Sequence, residues 1–326
     1  MTNAFLGIDV SKATLDVALL NGKTHYAVFD NTEKGFKKLQ RWMEKRQVVL
    51  SHACLEATGQ YGYPAAEYLY RQGHQVSVVN PVRIKAYRES CLVRNKTDKM
   101  DAFVIADFCQ RQEPELWSPP DPIYVELRAL VRHLDSLMDM RQQERNRKKS
   151  GIPSEYVLNM ISEHIALMDD KIEEIKKQIN KLIASHAQLK RQKELLVSIP
   201  GIGELTAAKL LAEIQEVDRF QNAKQLAAYA GITPQQNNSG TSVRGKGRMS
   251  KTGNVHLRKS LYMPALVAKK HNPIIHAFCE RLSERGKLPK VIVGAAMRKL
   301  LHMVYGILKS ESPFDPAYLE KNTVQA

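Results

Sequence analysis

The pattern of apolar and polar positions in the first third of the chain predicts short strands and helices in alternation. Short apolar runs separated by turn residues are typical of strands, and the first three follow one another as in an antiparallel meander. The predicted elements are, in order, strands at 4–10, 15–20 and 26–29, a helix near 33–46, a strand at 48–55, a helix at about 62–72 and a strand at 76–79. This order predicts a mixed sheet with helices on its faces, and a Pro-rich segment at 118–122 ends it.

The next segment has the spacing of two long helices. Apolar residues recur at intervals of three and four from Ile123 to Leu137, and again from Leu158 to Leu182 after a break at 151–153. The second series extends over more than three heptads, with His186 and Leu189 at its next positions, which predicts a coiled coil. The spacing leaves open whether the two helices pair with each other or between protomers.

The last third is helical apart from one polar loop. Apolar helical segments at 195–214 and 225–234 precede a Gly/Ser/Asn/Arg-rich loop at 235–253, and two or three helices complete the chain to about 310. We therefore expect an α/β domain followed by all-α parts. The expected boundaries are 1–120 for the mixed-sheet domain, 121–192 for the coiled-coil and oligomerisation helices, and 193–326 for the C-terminal helical domain.

Composition and charge point to a polyanionic partner. The 326 residues are 43% hydrophobic, enough for a substantial core, and 49 Lys and Arg against 34 Asp and Glu give a net charge of +15. The excess lies mainly beyond residue 120, and segment 219–310 holds 17 basic residues against Glu280 and Glu284 alone. Such an imbalance suits a nucleic-acid backbone and argues against a small-molecule enzyme working alone.

Other patterns indicate a cytoplasmic protein without membrane contact. No apolar run approaches the roughly 18 residues of a membrane span, and Asp9 interrupts the first apolar stretch, so we expect no signal peptide. Four scattered cysteines without a CxxC pair indicate reduced thiols rather than disulfides or a zinc site.

Four carboxylates in the first domain are candidates for a metal site. Asp9 ends the first strand and Glu56 ends the fourth, so the two meet if these strands are neighbours. Asp98 and Asp101 lie three apart at a helix start with Thr97 as the expected N-cap, so they share one helix face. Convergent carboxylates repel unless cations separate them, and their hard oxygens favour Mg²⁺, with Mn²⁺ as an alternative. Such ions stabilise the attacking and leaving oxygens of phosphoryl transfer.

A glycine-containing turn and a basic loop are candidates for nucleic-acid contact. The turn with Gly201 and Gly203 resembles a helix-hairpin-helix, which presents backbone N–H groups to a phosphate. The loop offers three serines as possible nucleophiles, and its spacing does not choose among Ser239, Ser242 and Ser250. Its candidate phosphate-binding side chains are Arg244, Lys246, Arg248, Lys251, Arg258 and Lys259.

Several motifs in fixed order resemble one known family. The segments GIDVSK, LEATG, NKTDKMDA, SIPGIG, AGITP and NNSGTSVRGKGRMSKTGN resemble the insertion-sequence transposases related to the pilin-gene invertase, the recombinases guided by a bridge RNA. The resemblance covers nearly the whole chain. It implies an RNase H-like (RuvC-like) domain whose acids, matched here by Asp9, Glu56, Asp98 and Asp101, bind Mg²⁺.

The same resemblance implies the chemistry and the partners. The family's nucleophilic serine precedes a glycine, which selects Ser239 in the C-terminal transposase domain. The implied enzyme cuts and rejoins donor and target DNA through covalent phosphoserine links, works as dimers that pair into tetramers, and is guided by a structured bridge RNA.

Two other functions fit part of the pattern. A RuvC-like nuclease would hydrolyse DNA junctions with the four carboxylates alone, with Ser239 a bystander. A non-catalytic nucleic-acid-binding protein would keep only the basic domain. A covalent protein–DNA adduct separates the recombinase from the hydrolase, because a two-metal hydrolase forms none.

Overall fold

The structure, a computed structural model, describes residues 4–57, 59, 61–92, 97–235 and 248–317, together with the backbone at 238–239 and 243–244. The chain divides into two compact units, Met1–Pro119 and Pro120–Ala326.

The first unit is a mixed sheet with helices on both faces, as the pattern predicts. Its elements are β1 (Phe5–Val10), β2 (Thr14–Leu20), β3 (Thr24–Asp30), α1 (Glu33–Glu44), β4 (His52–Glu56), α2 (Tyr63–Arg71), β5 (Gln75–Val79), α3 (Pro81–Ser90) and α4 (Asp98–Gln112). The strand order is β3-β2-β1-β4-β5. The first three strands pair antiparallel, whereas β4 is parallel to both β1 and β5. Strand β4 begins at His52 rather than at 48, because Val49 and Leu50 are exposed.

The two faces of the sheet carry different cores because strand residues alternate between them. Leu6 and Ile8 pack with α1 and α2, in a core that includes Phe36 and Leu39. The opposite face carries α3 and α4, and its core contains Cys54, Ile84 and Ile105. The acidic end of β1 belongs to the α4 face, since Asp9 lies two residues after Gly7, which contacts α4.

Gly7 allows α4 to lie directly on the sheet. A β-carbon at this position would come within 2.2 Å of the Ala102 carbonyl oxygen and 2.2 Å of the Ala106 nitrogen. Ala18, paired with Gly7 across β1 and β2, packs against the same two alanines. Small residues therefore bring the first turns of α4 close to the carboxyl end of β1.

The second unit is helical apart from two small ribbons. Its helices are α5 (Pro122–Lys148), α6 (Glu155–Ala184), α7 (Ala187–Val197), α8 (Glu204–Ile214), α9 (Ala223–Tyr229), α10 (Val255–His271), α11 (Pro273–Glu284) and α12 (Pro289–Ser310), with a 3-10 turn at Val217–Arg219. The strands are β6 (Pro234–Gln235), β7 (Asn238–Ser239), β8 (Val243–Arg244) and β9 (Arg248–Met249). One hydrophobic core connects the long helices with those near the C-terminus.

The two heptad series pair with each other within the chain. Helices α5 and α6 pack together and are joined by residues 149–154, so they form an antiparallel hairpin. Leu134 and Ile172 are fully buried in its seam, and Arg141 on α5 forms a salt bridge with Asp169 on α6. The expected continuation of the seam through His186 is wrong, because α6 ends at Ala184 and His186 is the exposed N-cap of α7.

Helix α12 corrects the expectation that no apolar run approaches membrane-span length. It has 22 residues and enough mean hydropathy to cross a bilayer by length and composition. Its apolar side nevertheless packs into the protein core, where Leu300, Leu301 and Val304 are completely buried. The high apolar content of α12 is therefore explained by its packing in the hydrophobic core.

The close approach at Gly7 leads to a stability prediction. We expect Gly7→Ala to lower the free energy of unfolding of the first unit by about 1–3 kcal/mol, because the new methyl group meets backbone atoms of α4. The control is Gly62→Ala, since a β-carbon there makes only ordinary contact with Val10 at 3.6 Å. Urea unfolding of both variants measures the difference, and equal stability would contradict the tight seat of α4.

Candidate functional site

Strand register collects three carboxylates on the face of the sheet that carries α4. Asp9 on β1 lies directly opposite Asp16 on the antiparallel strand β2, so both side chains belong to one face. On the other side of β1, Gly7 is in register with Cys54 of the parallel strand β4, and Glu56 follows two residues later. The sequence predicts that Asp9 and Glu56 meet if the first and fourth strands are neighbours, and β1 and β4 are indeed adjacent in the sheet.

The first turn of α4 adds Asp98 to this group. Thr97 caps the helix, its hydroxyl oxygen accepting a hydrogen bond from the Met100 N–H at 3.2 Å. The predicted cap is therefore confirmed, and it holds Asp98 at the helix start. The carboxylate of Asp98 is near enough to Asp9 that its charge acts on the Asp9 carboxyl.

Asp9 is destabilised as an anion by its surroundings. Burial raises the pKa of the Asp9 carboxyl above its ordinary value of 3.8, and the charges of Asp98, Glu56 and Asp16 raise this pKa further. Three negative charges therefore act on a partly buried fourth. A bound cation would relieve this repulsion.

Asp101 has a different partner. Its carboxylate forms a salt bridge with Arg88 of α3, and both side chains are only 19% exposed. The structure thus brings Asp9, Glu56 and Asp98 together, whereas Asp101 is paired with an arginine from the neighbouring helix. Arg88 is a residue that the sequence pattern did not single out.

The donor set suits a hard divalent cation. Among the residues that the structure describes, no three His, Cys, Asp or Glu side chains are already arranged as a metal site. Carboxylate oxygens are nonetheless the ligands that Mg²⁺ and Mn²⁺ prefer, and repulsion on Asp9 is what a cation would offset. The residues that would hold it are Asp9, Glu56 and Asp98, with Asp101 available once it separates from Arg88.

Asp16 and Tyr26 also lie in this region, although the sequence pattern did not single them out. The Tyr26 hydroxyl on β3 donates a hydrogen bond to Asp16 Oδ1. Burial, this hydrogen bond and the charges of Asp16 and Asp98 raise the pKa of Tyr26 to about 12. From α4, the Lys99 ammonium lies 5.3 Å from the Tyr26 ring centroid. The sequence feature that could have identified Asp16 is its position as an acid within the apolar run LDVALL of β2.

In the second unit, the loop at 235–253 that carries Ser239, called the serine loop below, begins and ends in paired backbone. Strand β6 pairs antiparallel with β9, and Ser239 of β7 lies opposite Val243 of β8. The side chains of Ser239 and Arg244, and the whole of Lys246 and Ser242, lie outside the described residues. At the base, the Ser250 N–H donates to the Thr233 carbonyl at 2.9 Å, which closes the loop.

A buried polar network fixes the exit of this loop. Asn254 caps α10 through the Leu257 N–H at 3.0 Å and donates from Nδ2 to Glu213 Oε2 at 2.7 Å. Arg132 of α5 donates two hydrogen bonds to the same carboxylate, at 2.8 and 3.0 Å. Burial alone would raise the pKa of Glu213, but the bonds from Arg132 and Asn254 outweigh it and hold this pKa below its ordinary value. The loop thus leaves from a rigid anchor.

The other proposed basic residues divide between packing and solvent. Arg258 Nη1 donates to the Ala230 carbonyl at 3.1 Å and so supports the loop base. Lys259 forms a surface salt bridge with Asp139 at 2.7 Å. Arg248 and Lys251 are exposed at the loop base. Among the proposed phosphate-binding residues whose side chains the structure describes, Arg248 and Lys251 are therefore the two that are exposed and that neither support the loop base nor form a salt bridge.

The glycine turn connects α7 and α8 and packs against α10. Gly201 has a φ of +107°, and a β-carbon there would come within 2.7 Å of the Ala268 β-carbon. This glycine is therefore needed for helix packing as well as for the turn. Gly203 is the N-cap of α8, with nothing within 4 Å of a β-carbon placed there. The open side of the turn is at Gly203.

Two family models match the chain over most of its length. One for a DEDD transposase of the IS110 type matches residues 6–152, which include all four predicted acids. Another, described as the transposase IS116/IS110/IS902 family, matches residues 193–280, which include the glycine turn and the serine loop.

Named relatives agree with these models. The chain is similar to the pilin gene-inverting protein of Moraxella bovis, with 34% identity over 319 residues that cover 97% of this chain and 98% of that protein. The Moraxella lacunata protein of the same name gives the same identity and coverage. The transposase for insertion sequence element IS1111A of Coxiella burnetii is 24% identical over 302 residues, 82% of this chain and 78% of its own length.

Repulsion at Asp9 predicts a pH-dependent gain in stability on its removal. Because the folded-state pKa of Asp9 is raised, the protonated carboxyl adds to the free energy of unfolding. This contribution is complete below about pH 3.8 and is lost as the pH rises through the folded-state pKa. Asp9→Asn should therefore melt at a higher temperature than the parent at pH 7 in EDTA, and the two should converge at low pH.

The control for this measurement is Asp30→Asn, a change at an exposed carboxylate that pairs with Lys38. It should give no increase in melting temperature. An Asp9→Asn protein less stable than the parent at pH 7 in EDTA would show that the carboxylates do not repel in the folded state.

Proposed function

Because the chain belongs to the IS110 family of transposases and is a DNA-recombination enzyme, we propose that it is an RNA-guided recombinase that cuts and rejoins donor and target DNA through a phosphoserine intermediate. The observation that carries the cation-dependent part of the proposal is the convergence of Asp9, Glu56 and Asp98 at one end of a sheet whose register collects acids. A cluster of anions in a protein that acts on a polyanion needs a cation between them.

In this proposal Asp9, Glu56 and Asp98 would hold Mg²⁺, or Mn²⁺ in its place, and Asp101 would complete the set once it separates from Arg88. The cation would supply charge stabilisation to the attacking and leaving oxygens of phosphoryl transfer. Arg88 would be released from Asp101 by this change. A guanidinium freed beside a phosphate is well suited to bind its oxygens.

Ser239 is the proposed nucleophile. Its hydroxyl loses its proton as Oγ forms a bond to the phosphorus of a phosphodiester, one P–O ester bond of the DNA breaks, and the leaving strand oxygen gains one proton to become a hydroxyl group. Rejoining reverses the exchange, because a hydroxyl of another strand attacks the phosphoserine and frees the serine. The ester count is unchanged at each step, so no external energy source is required.

Basic residues of the second unit support binding of DNA and of a structured guide RNA. Segment 219–310 has 17 basic side chains against two acidic ones. Exposed Arg248 and Lys251 lie at the base of the serine loop, and Gly203 lies at the open side of the glycine turn. Donor DNA, target DNA and RNA all present phosphate to such a surface.

The proposed dimers and tetramers have a candidate surface on α6. Apart from the residues buried against α5, Tyr156, Met160 and Leu167 of α6 are exposed, Tyr156 to 74% and Leu167 to 58%. Spacings of four and seven place these residues on one helix face. Apolar side chains on a helix that has already buried its seam favour a second copy of the chain as partner.

The phosphoserine proposal predicts a covalent adduct. With Mg²⁺, guide RNA and cognate DNA, the parent protein should become linked to DNA, whereas Ser239→Ala should form no adduct. Glu56→Gln and Asp98→Asn should still bind DNA but lose strand cleavage, because the cation site is lost. Denaturing gels and mass spectrometry of the linked peptide measure both results.

Thr241→Ala provides a matched hydroxyl control in the same loop and should retain the adduct. Cleavage by Ser239→Ala at the parent rate would contradict the nucleophile assignment and favour a hydrolase. If neither the parent nor any variant cuts cognate DNA, the chain is a binding protein only.

The guide proposal predicts selective RNA binding. RNA transcribed from the sequence that flanks this chain's gene should bind more tightly than a random RNA of equal length, and should be required for adduct formation. Competition filter binding at fixed salt measures the preference, because salt alone changes phosphate-driven affinity strongly. Equal affinity for the two RNAs would remove the guide from the proposal.

A further inference from the structure

The register of β1 and β2 adds one residue to the proposed cation site, and the inference rests on the proposed function. We propose that Asp16 is a fifth acidic residue of this site, held in position by the Tyr26 hydroxyl, and that it strengthens the binding of the divalent cation. The juxtaposition is direct, since Asp16 is the cross-strand partner of Asp9.

Asp16 is buried without a cationic partner. The residue is only 8% exposed, and none of the salt bridges found among the described residues of the first unit involves it. Its neighbour across the ladder is another carboxylate, and its hydrogen-bond donor is the neutral phenol of Tyr26. Buried carboxylates are normally paired with a positive charge, so this position favours an acquired cation.

Tyr26 explains how the carboxylate keeps one orientation. The hydroxyl donates to Oδ1 of Asp16, so that oxygen is fixed from the β3 side. Phe103 of α4 packs near the Tyr26 ring, with centroids 6.2 Å apart, and Lys99 lies above the same ring. The first turns of α4 therefore hold Tyr26, which in turn holds Asp16 beside Asp9.

The position suits a residue that acts around the cation. Mg²⁺ keeps several of its water molecules in protein sites, and those waters need acceptors. Groups that orient ligands or accept from bound water influence metal affinity nearly as much as the ligands do. Asp16 would serve as such an acceptor and would add negative potential at the site.

A matched pair in the same unit provides the control. Tyr87 on α3 donates from its hydroxyl to Asp107 Oδ2 at 2.6 Å, and Asp107 also binds Arg111 at 2.8 Å. This second tyrosine–aspartate pair is not among the charges that act on Asp9. Variants of this pair therefore show how the loss of a tyrosine–aspartate hydrogen bond affects Mn²⁺ affinity through the fold, without any change at the proposed cation site.

The test measures Mn²⁺ binding to the full chain without nucleic acid, by electron paramagnetic resonance of the free ion. Asp16→Asn, which keeps the shape and the acceptor, should weaken Mn²⁺ affinity by about tenfold or more. Tyr26→Phe should weaken it in the same direction, and Asp107→Asn and Tyr87→Phe should leave it unchanged. Asp98→Asn tests the proposed function itself, and thermal melting confirms that each variant folds.

The outcomes separate the two proposals. If Asp98→Asn loses Mn²⁺ while Asp16→Asn and Tyr26→Phe bind as the parent does, Asp16 has only a structural role and the inference is overturned. If the parent binds no Mn²⁺, or Asp98→Asn binds as tightly as the parent, the cation site of the proposed function fails. Should Asp16→Asn fail to fold, Tyr26→Phe decides, because it leaves every carboxylate in place.

Discussion

Repulsion among carboxylates on one face of a rigid sheet is the constraint on which the first unit depends. Pairing of β1 with β2 and β4 puts Asp9 between two acids, and the start of α4 brings a further one. The close packing of α4 on Gly7 keeps the start of this helix near these acids. A site of this kind costs stability in the empty protein and gains it when a cation binds.

The second unit contains the opposite arrangement, a buried carboxylate that is held by a cation and an amide. Glu213 is 1% exposed and accepts hydrogen bonds from Arg132 and Asn254. Removing either donor would leave a buried charge incompletely paired, which typically costs several kcal/mol. The network connects α5, α8 and the start of α10, and the loop that carries Ser239 ends at this junction. This junction anchors the end of the loop that carries the proposed nucleophile.

Much of the fold followed from apolar periodicity, whereas the site required knowledge of pairing. The meander, the mixed sheet and the Thr97 cap are visible in local patterns. Asp16 could not be assigned from sequence, because its role depends on which residue lies opposite it on β1. The heptad series also ran past the end of α6, since periodicity continues through His186 while the backbone breaks there. Arg88 was missed for the same reason as Asp16, as its partner is 13 positions away on another helix.

The proposed divalent-cation site lies among the carboxylates beneath the first turn of α4. Crystals grown in Mn²⁺ and measured at the manganese absorption edge test it most directly. We expect an anomalous difference peak among the carboxylate oxygens of Asp9, Glu56 and Asp98, which would identify the ligands without reliance on activity. Crystals that diffract well in saturating Mn²⁺ but show no peak there, or show their only peak elsewhere on the chain, would contradict it.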